Sequence, residues 1–198
     1  MNQSLAFQKF MAAVDADDDQ QTETLVAQLT PTDETALLPL LQASSADRRW
    51  WAARALAACG TQAAVPGLLA ALDDADAALR AIAALTLGHL AAREPEVVYP
   101  VLDQVATKLM DEEGSVRQTI ADALAMCGDA AVPALAHVLQ GNHEGARTRA
   151  AYALRKIATM KAAGVLYRYL NDTNYLVHTY AHEGLDEMGL LENILVTL

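Results

Sequence analysis

Aromatic residues are scarce in this chain, 5% of 198 residues, and runs of β-branched residues are missing. Sheets draw on those residue types, so their scarcity argues against a fold built on strands. Bases are few as well: 14 lysines and arginines stand against 25 acids, a formal charge of −11. Such a surface repels phosphate, which sets nucleic acid and anionic membranes aside as expected partners. No apolar stretch nears the ~20 residues needed to cross a bilayer. The opening residues, MNQSLAFQKFMAAVDADDD, have neither the basic start nor the apolar core of a signal peptide, so a cytoplasmic location is expected. Nucleophile elbow, phosphate-binding loop, dinucleotide fingerprint and zinc ribbon are all absent. Expectation therefore leans away from an enzyme and predicts no cofactor and no metal.

Against these absences, 53% of the residues are hydrophobic, mostly alanine and leucine, the strongest helix formers. They are ordered in a repeat. Five segments align without gaps: RRWWAARALAACG (48–60), LRAIAALTLGHLA (79–91), VRQTIADALAMCG (116–128), ARTRAAYALRKIA (146–158) and VHTYAHEGLDEMG (177–189). The second column reads Arg49, Arg80, Arg117, Arg147 and His178, and seven places on stand Leu56, Leu87, Leu124, Leu154 and Leu185. Those leucines lie 31, 37, 30 and 31 residues apart, a spacing that marks a stacked array. Counted from the arginine column, offsets +3, +7 and +10 fall on one helical face and predict a buried stripe. Alanines at +4 (Ala53, Ala84, Ala121, Ala151) predict close approach between neighbouring helices.

A shorter apolar segment precedes each block: 37–42, 64–72, 97–109, 131–139 and 163–170, often with proline near its start, where a missing N–H costs nothing. Turn-forming and acidic residues lie between the partners, and Asp and Asn there predict caps for the second helix. Gly60 and Gly128 are expected to end two of the second helices. The unit is a helical hairpin. Residues 1–30, with helices over 3–14 and 19–29, are expected to cap the array at one end, and 190–198 at the other.

This V/L-R-x-x-A-A-x-x-L pattern, preceded by V-P-x-L-x-x-L, resembles the HEAT repeat in its short bacterial form, that of phycobilin lyase subunits. The resemblance covers about residues 34 to 189. It implies an all-α fold, a right-handed α-α superhelix of the HEAT/armadillo solenoid type, in which 1–198 form one domain with repeats 34–60, 61–91, 95–128, 129–158 and 159–189. It further implies that the column arginines pair with acids near the turn of an adjacent repeat, for which Asp47, Asp76 and Glu113 are the expected partners.

In such arrays the second helices line the concave face. The positions expected to meet a protein or peptide partner are Trp50, Arg54, Leu85, His89, Gln118, Asp122, Met126, Tyr152 and Arg155, residue types favoured at interfaces. Of the adjacent Trp50 and Trp51, one should pack inward, while the other meets the N-terminal cap or lines the inner surface. A non-catalytic binding scaffold is thus the expected function. Two enzymatic alternatives follow from the resemblance, a phycobilin-lyase-like subunit handling a tetrapyrrole and a HEAT-like DNA glycosylase, the latter at odds with the acidic charge.

Two further features need placing. Cys59 and Cys127 share a column two repeats apart, about 20 Å at helix-packing distance, against the ~7 Å that a disulfide spans. They are expected to be separate core thiols. His178 and His182 stand at i and i+4 with Glu183 beside them, and His143-Glu144 is a second such pair, expected in a turn. Deoxyhypusine hydroxylase, a HEAT-repeat enzyme, holds iron with four His-Glu pairs set directly after the column arginine. Neither pair here is in that place. Repeat 4 also carries a basic island, Arg147, Arg149, Arg155, Lys156, Lys161 and Arg168, open to reading as an anion grip or as a face balancing nearby acids.

Overall fold

A computed structural model describes residues 3–191, and every regular element among them is a helix. Backbone contacts group the chain into two compact units, Met1–Val98 and Tyr99–Leu198. In the first, α1 (Leu5–Asp15) and α2 (Asp19–Val26) precede two repeat hairpins. One pairs α3 (Glu34–Leu37), prolonged by the 3-10 turn Leu38–Gln42, with α4 (Ala46–Cys59); the next pairs α5 (Val65–Ala71) with α6 (Ala77–Ala91), and α7 (Pro95–Val98) follows. The second unit holds α8 (Leu102–Thr107), α9 (Gly114–Met126), α10 (Val132–Leu139), α11 (Glu144–Ile157), α12 (Met160–Leu166) and α13 (Tyr175–Glu187). Of the expected C-terminal cap, 190–198, all but Leu190 and Leu191 lie outside the described residues.

The long second helices begin two residues ahead of the aligned blocks because their caps stand there. Side chains of Ser45, Asp76 and Asn174 accept bonds from the backbone N–H groups of Arg48, Ala78 and Leu176. His143 does the same through Nδ1, 3.0 Å from the Ala146 nitrogen, so His143 caps α11 and Glu144 opens it, rather than both lying in a turn. Each such cap is worth roughly 1 kcal/mol by occupying an orphan donor.

Within each unit these helices stack side by side, α4 on α6, and α9 on α11 on α13. The predicted stripe is the core: Ala52, Ala83, Ile120, Ala150 and Ala181 are wholly buried, as are Leu56, Leu124 and Leu154, with Leu87 and Leu185 nearly so. At +10 the stripe frays, since Ile157 and Met188 are only half-buried. The +4 alanines bring backbones together closely enough for the Thr86 hydroxyl of α6 to donate to the Ala53 carbonyl of α4 at 2.9 Å. A larger residue at Ala53 or Ala84 would hold those helices apart.

The first helices depart from expectation in repeats 1 and 5, where 3-10 turns take up Leu38–Gln42 and Tyr167–Tyr169, and most of all in repeat 3. Pro66 and Pro133 occupy the opening turns of α5 and α10 as predicted. The 97–109 segment, however, does not form one helix: it is cut into α7, a 3-10 turn Tyr99–Val101, α8 and a second 3-10 turn Lys108–Met110. Helical structure starts earlier than the sequence suggested, at Pro95, which leaves Pro100 inside it. There the ring removes a donor and collides with the preceding turn.

The second helices also end in different ways. Gly128 and Gly189 take left-handed conformations, φ +56 and +69. Gly60 does not, with φ −67; its need for glycine is space, because a Cβ there would stand 2.6 Å from the Leu56 carbonyl oxygen. In repeat 4 the left-handed site falls to Ala158, at φ 52. An alanine there pays about 1 kcal/mol for its Cβ. Ala158→Gly should therefore stabilise the chain by roughly 0.5–1 kcal/mol, read as an increase in the urea midpoint.

Candidate interaction surface

The arginine column is structural, and its geometry differs from the expected one. Three of the four arginines first tie down carbonyls of their own inter-helix turn: Arg49 donates to Ala43 and Ser44, Arg80 to Asp74 and Ala75, Arg117 to Asp111 and Glu112, while Arg147 donates to Leu139 at the end of α10. Held there, the guanidinium reaches the next repeat's turn. Arg49 meets Asp74 at 3.3 Å and Arg147 meets Asp172. The partners are thus not Asp47, Asp76 or Glu113. Asp76 caps α6, Glu113 makes no side-chain cap bond, and Asp47 lies in the first turn of α4. The acids that serve stand six places before the column, where the tethered guanidinium points.

In the first unit, four expected contact residues border two clefts. Trp50 joins Trp51 and Asp47 of α4 and Asp19, Gln20 and Glu23 of α2 around a space of about 500 Å³. Trp51 packs inward at 8% exposure and Trp50 stays half-buried, the rings meeting edge to face with centroids 4.9 Å apart. Arg54, Leu85 and His89 line the other cleft, about 250 Å³, with Ala57, Ala58 and Ile82 between α4 and α6. Arg54 is paired with Glu23 across to α2. Partial burial, then the charges of Arg54 and Arg93, push the His89 imidazole below its ordinary value, which favours its neutral form.

In the second unit the expected contact residues mostly bind each other. The Asp122 carboxylate of α9 accepts from the Tyr152 hydroxyl at 2.9 Å, Lys156 at 2.7 Å and Gln118 at 3.1 Å. Tyr152 stacks edge-on against Tyr180, and Arg155 pairs with Glu183 and Glu187 of α13. Met126 is the exposed member of the set. The same bonds answer the basic island: Arg147, Arg155 and Lys156 take carboxylates from flanking repeats, and Lys161 donates to the Asp129 carbonyl. Stacking thus supplies acids to Arg147, Arg155 and Lys156, half of the island.

Two shielded carboxyls, Asp122 in this network and Asp33 beside Thr30 in the first unit, are held low by their bonds. Burial drives Asp122 upward, but bonds from Lys156, Gln118 and Tyr152 outweigh it and hold the group below the usual carboxylate value. Asp33, at 3% exposure, is lowered in the same way, burial being outweighed by Ser4 and Thr30. A carboxyl held low when folded binds fewer protons than in the unfolded chain. Its stabilisation is complete above the unfolded value, about 4, and is lost as pH falls through the folded one. Urea midpoints should fall below about pH 4, and Asp33→Asn or Asp122→Asn should each flatten part of that fall.

Sequence columns did not show everything at the surface. The acids and glutamine of α2 were missed because they lie outside the repeats. A third cleft, about 480 Å³ between α8 and α10 and bordered by Asp103, Thr107, Pro133 and His137, was missed because the first helices were read only for their apolar face. The two cysteines are free and buried, and burial raises each thiol to about 11. The His178 and His182 rings lie 4.5 Å apart, with Nε2 of His182 3.1 Å from the Leu170 carbonyl oxygen. No group of three or more metal-ligating side chains comes together among the described residues, and no helix among them is long and apolar enough to cross a membrane.

Comparison with known proteins agrees with this architecture. A family model of HEAT repeats matches residues 34–109 and 104–185. Among curated protein sequences, none matches. The X-ray structure of YibA from Escherichia coli is similar with a TM-score of 0.56 and 18% identity, over 99% of this chain and 80% of that one. The crystal structure of an engineered protein gives 0.50 and 20%, over 88% of this chain and 55% of that one. Human deoxyhypusine hydroxylase in complex with glycerol gives 0.37 and 17%, over 93% and 80%, too distant to carry an argument. At such identities the likeness speaks for the fold alone. With the family model spanning the repeats, the chain belongs to the HEAT-repeat family.

Proposed function

We propose that the chain is a non-catalytic scaffold that binds a partner protein, and that α4 and α6 carry the recognition surface. The observation behind this reading is the contrast between the expected contact residues of α4 and α6 and those of α9 and α11. Tyr152, Asp122 and Arg155 spend their polar groups on neighbouring helices, whereas Trp50, Leu85 and His89 border clefts that the chain's own side chains leave open. A tryptophan beside one cleft is the residue type most favoured as an interface anchor, and the leucine and imidazole beside the other extend the surface along α6. Repeat hairpins supply a rigid support for such a surface without any set chemistry.

Affinity purification from the native host tests this. A specific partner should be retained by the unaltered chain and by Tyr175→Ala, since Tyr175 is exposed at 76% on α13. Trp50→Ala and Leu85→Asp should each weaken retention about tenfold or more, the loss typical of an interface centre. A partner indifferent to both substitutions would exclude this surface.

A further inference from the structure

The groove between α2 and α4 combines two features that point to one ligand chemistry. Its wall is aromatic: Trp51 is buried, Trp50 is half-buried, their rings pack edge to face, and both border the open space of about 500 Å³. Its rim is anionic. Asp19, Glu23 and Asp47 border it, and among the described residues only Glu23 has a cationic partner, Arg54. Among the described residues Asp19 and Asp47 make no side-chain hydrogen bond or ion pair.

The first-turn positions of Asp19 in α2 and Asp47 in α4 suit their helix ends and by themselves imply no ligand. What helix ends do not account for is the indole wall between them. A purely apolar groove would select an aliphatic side chain, and bare carboxylates a hydrated ion. An indole face flanked by unpaired carboxylates selects a flat organic cation, which stacks on the ring and donates to the oxygens at its edge. Beyond the groove Asp15 is paired with Arg48 and Asp18 caps α2, while Asp17 is exposed and makes no side-chain bond among the described residues. This further free carboxylate complements a second positive charge on a segment rather than a small cation.

Resting on the scaffold reading above, we propose that the groove between α2 and α4 receives an arginine side chain from a basic segment of the partner protein. The guanidinium lies against Trp50, its N–H groups directed to Asp19 and Asp47, while a flanking basic residue meets Asp17.

The chain carries its own reporter, because Trp50 and Trp51 are its two tryptophans and both line the groove. Titrating the full chain with the peptide Gly-Gly-Arg-Arg-Gly-Gly should give a saturable change in tryptophan fluorescence. The double variant Asp19→Asn, Asp47→Asn should weaken binding about tenfold, the sum of two exposed ion pairs. Replacing both arginines of the peptide by lysine should weaken it several-fold, and free arginine amide should bind more weakly still. Gln20→Lys places a tethered cation in the groove and should abolish the signal, which gives a second variant should the double one fold poorly. No saturable change, equal binding by the double variant, or free arginine amide matching the peptide would overturn the proposal. If the peptide fails while a native partner is still lost with Leu85→Asp, this inference falls and the scaffold stands. If the peptide binds and no partner responds to Leu85→Asp, the scaffold surface falls instead.

Discussion

Replacing Leu154 with alanine should destabilise the chain by about 3 kcal/mol, within the 2–5 kcal/mol range for a buried leucine. Leu154 has no exposure, and its helix, α11, lies between α9 and α13. The cavity would thus open where helices press from both sides and none is free to slide in. If the second unit melts as one step, the thermal midpoint drops by on the order of 10 °C or more. Leu5→Ala serves as the contrast: at 66% exposure it should shift stability by no more than about 0.5 kcal/mol. Differential scanning calorimetry on the two variants reads both effects. A Leu154→Ala protein melting within about 2 °C of the parent would show that the leucine column is not where stacking is enforced.

The leucine column was legible because a stacked repeat places equivalent residues in equivalent surroundings, and the same physics sets the same residue each time. Leu56, Leu87, Leu124, Leu154 and Leu185 were expected buried and are. What a column cannot show is which neighbour a polar residue meets. Asp76 was expected as a ladder partner because it lies near the inter-helix turn of the adjacent repeat, but its carboxylate is engaged by the Ala78 nitrogen. Asp74 serves instead because Arg49, anchored on Ala43 and Ser44, extends across the turn. Likewise the sequence places Asp122, Tyr152 and Arg155 on one face without revealing that stacking would set them in bonding reach of one another and of α13. The Trp50 groove was half legible. Its tryptophans stand out in a chain of few aromatics, while its acids come from α2, which has no repeat to be compared with.

The second large effect is expected at Asp172. Its side chain is only 10% exposed; one oxygen accepts from Arg147, itself 16% exposed, and the other from the Asn174 nitrogen at 2.8 Å. Asn174 in turn caps α13. Asp172→Ala thus leaves a largely shielded guanidinium without its carboxylate and frees the turn that starts the last helix. Full burial would put the loss at 3–5 kcal/mol; with the water still present here, about 2 kcal/mol is expected. Asp172→Asn keeps an acceptor for the Asn174 nitrogen and removes the charge, so it should cost about half as much. The pair Arg48–Asp15 sets the scale from the other side, since both side chains are more than 40% exposed and Asp15→Ala should cost less than about 1 kcal/mol. Salt separates the two cases. In about 1 M sodium chloride the Asp15 effect should vanish, while most of the Asp172 loss persists because the low-dielectric surroundings of Arg147 are little screened. Urea denaturation of the three variants at low and high salt measures this directly, and an Asp172→Ala loss that vanished with salt would reduce the arginine ladder to surface decoration.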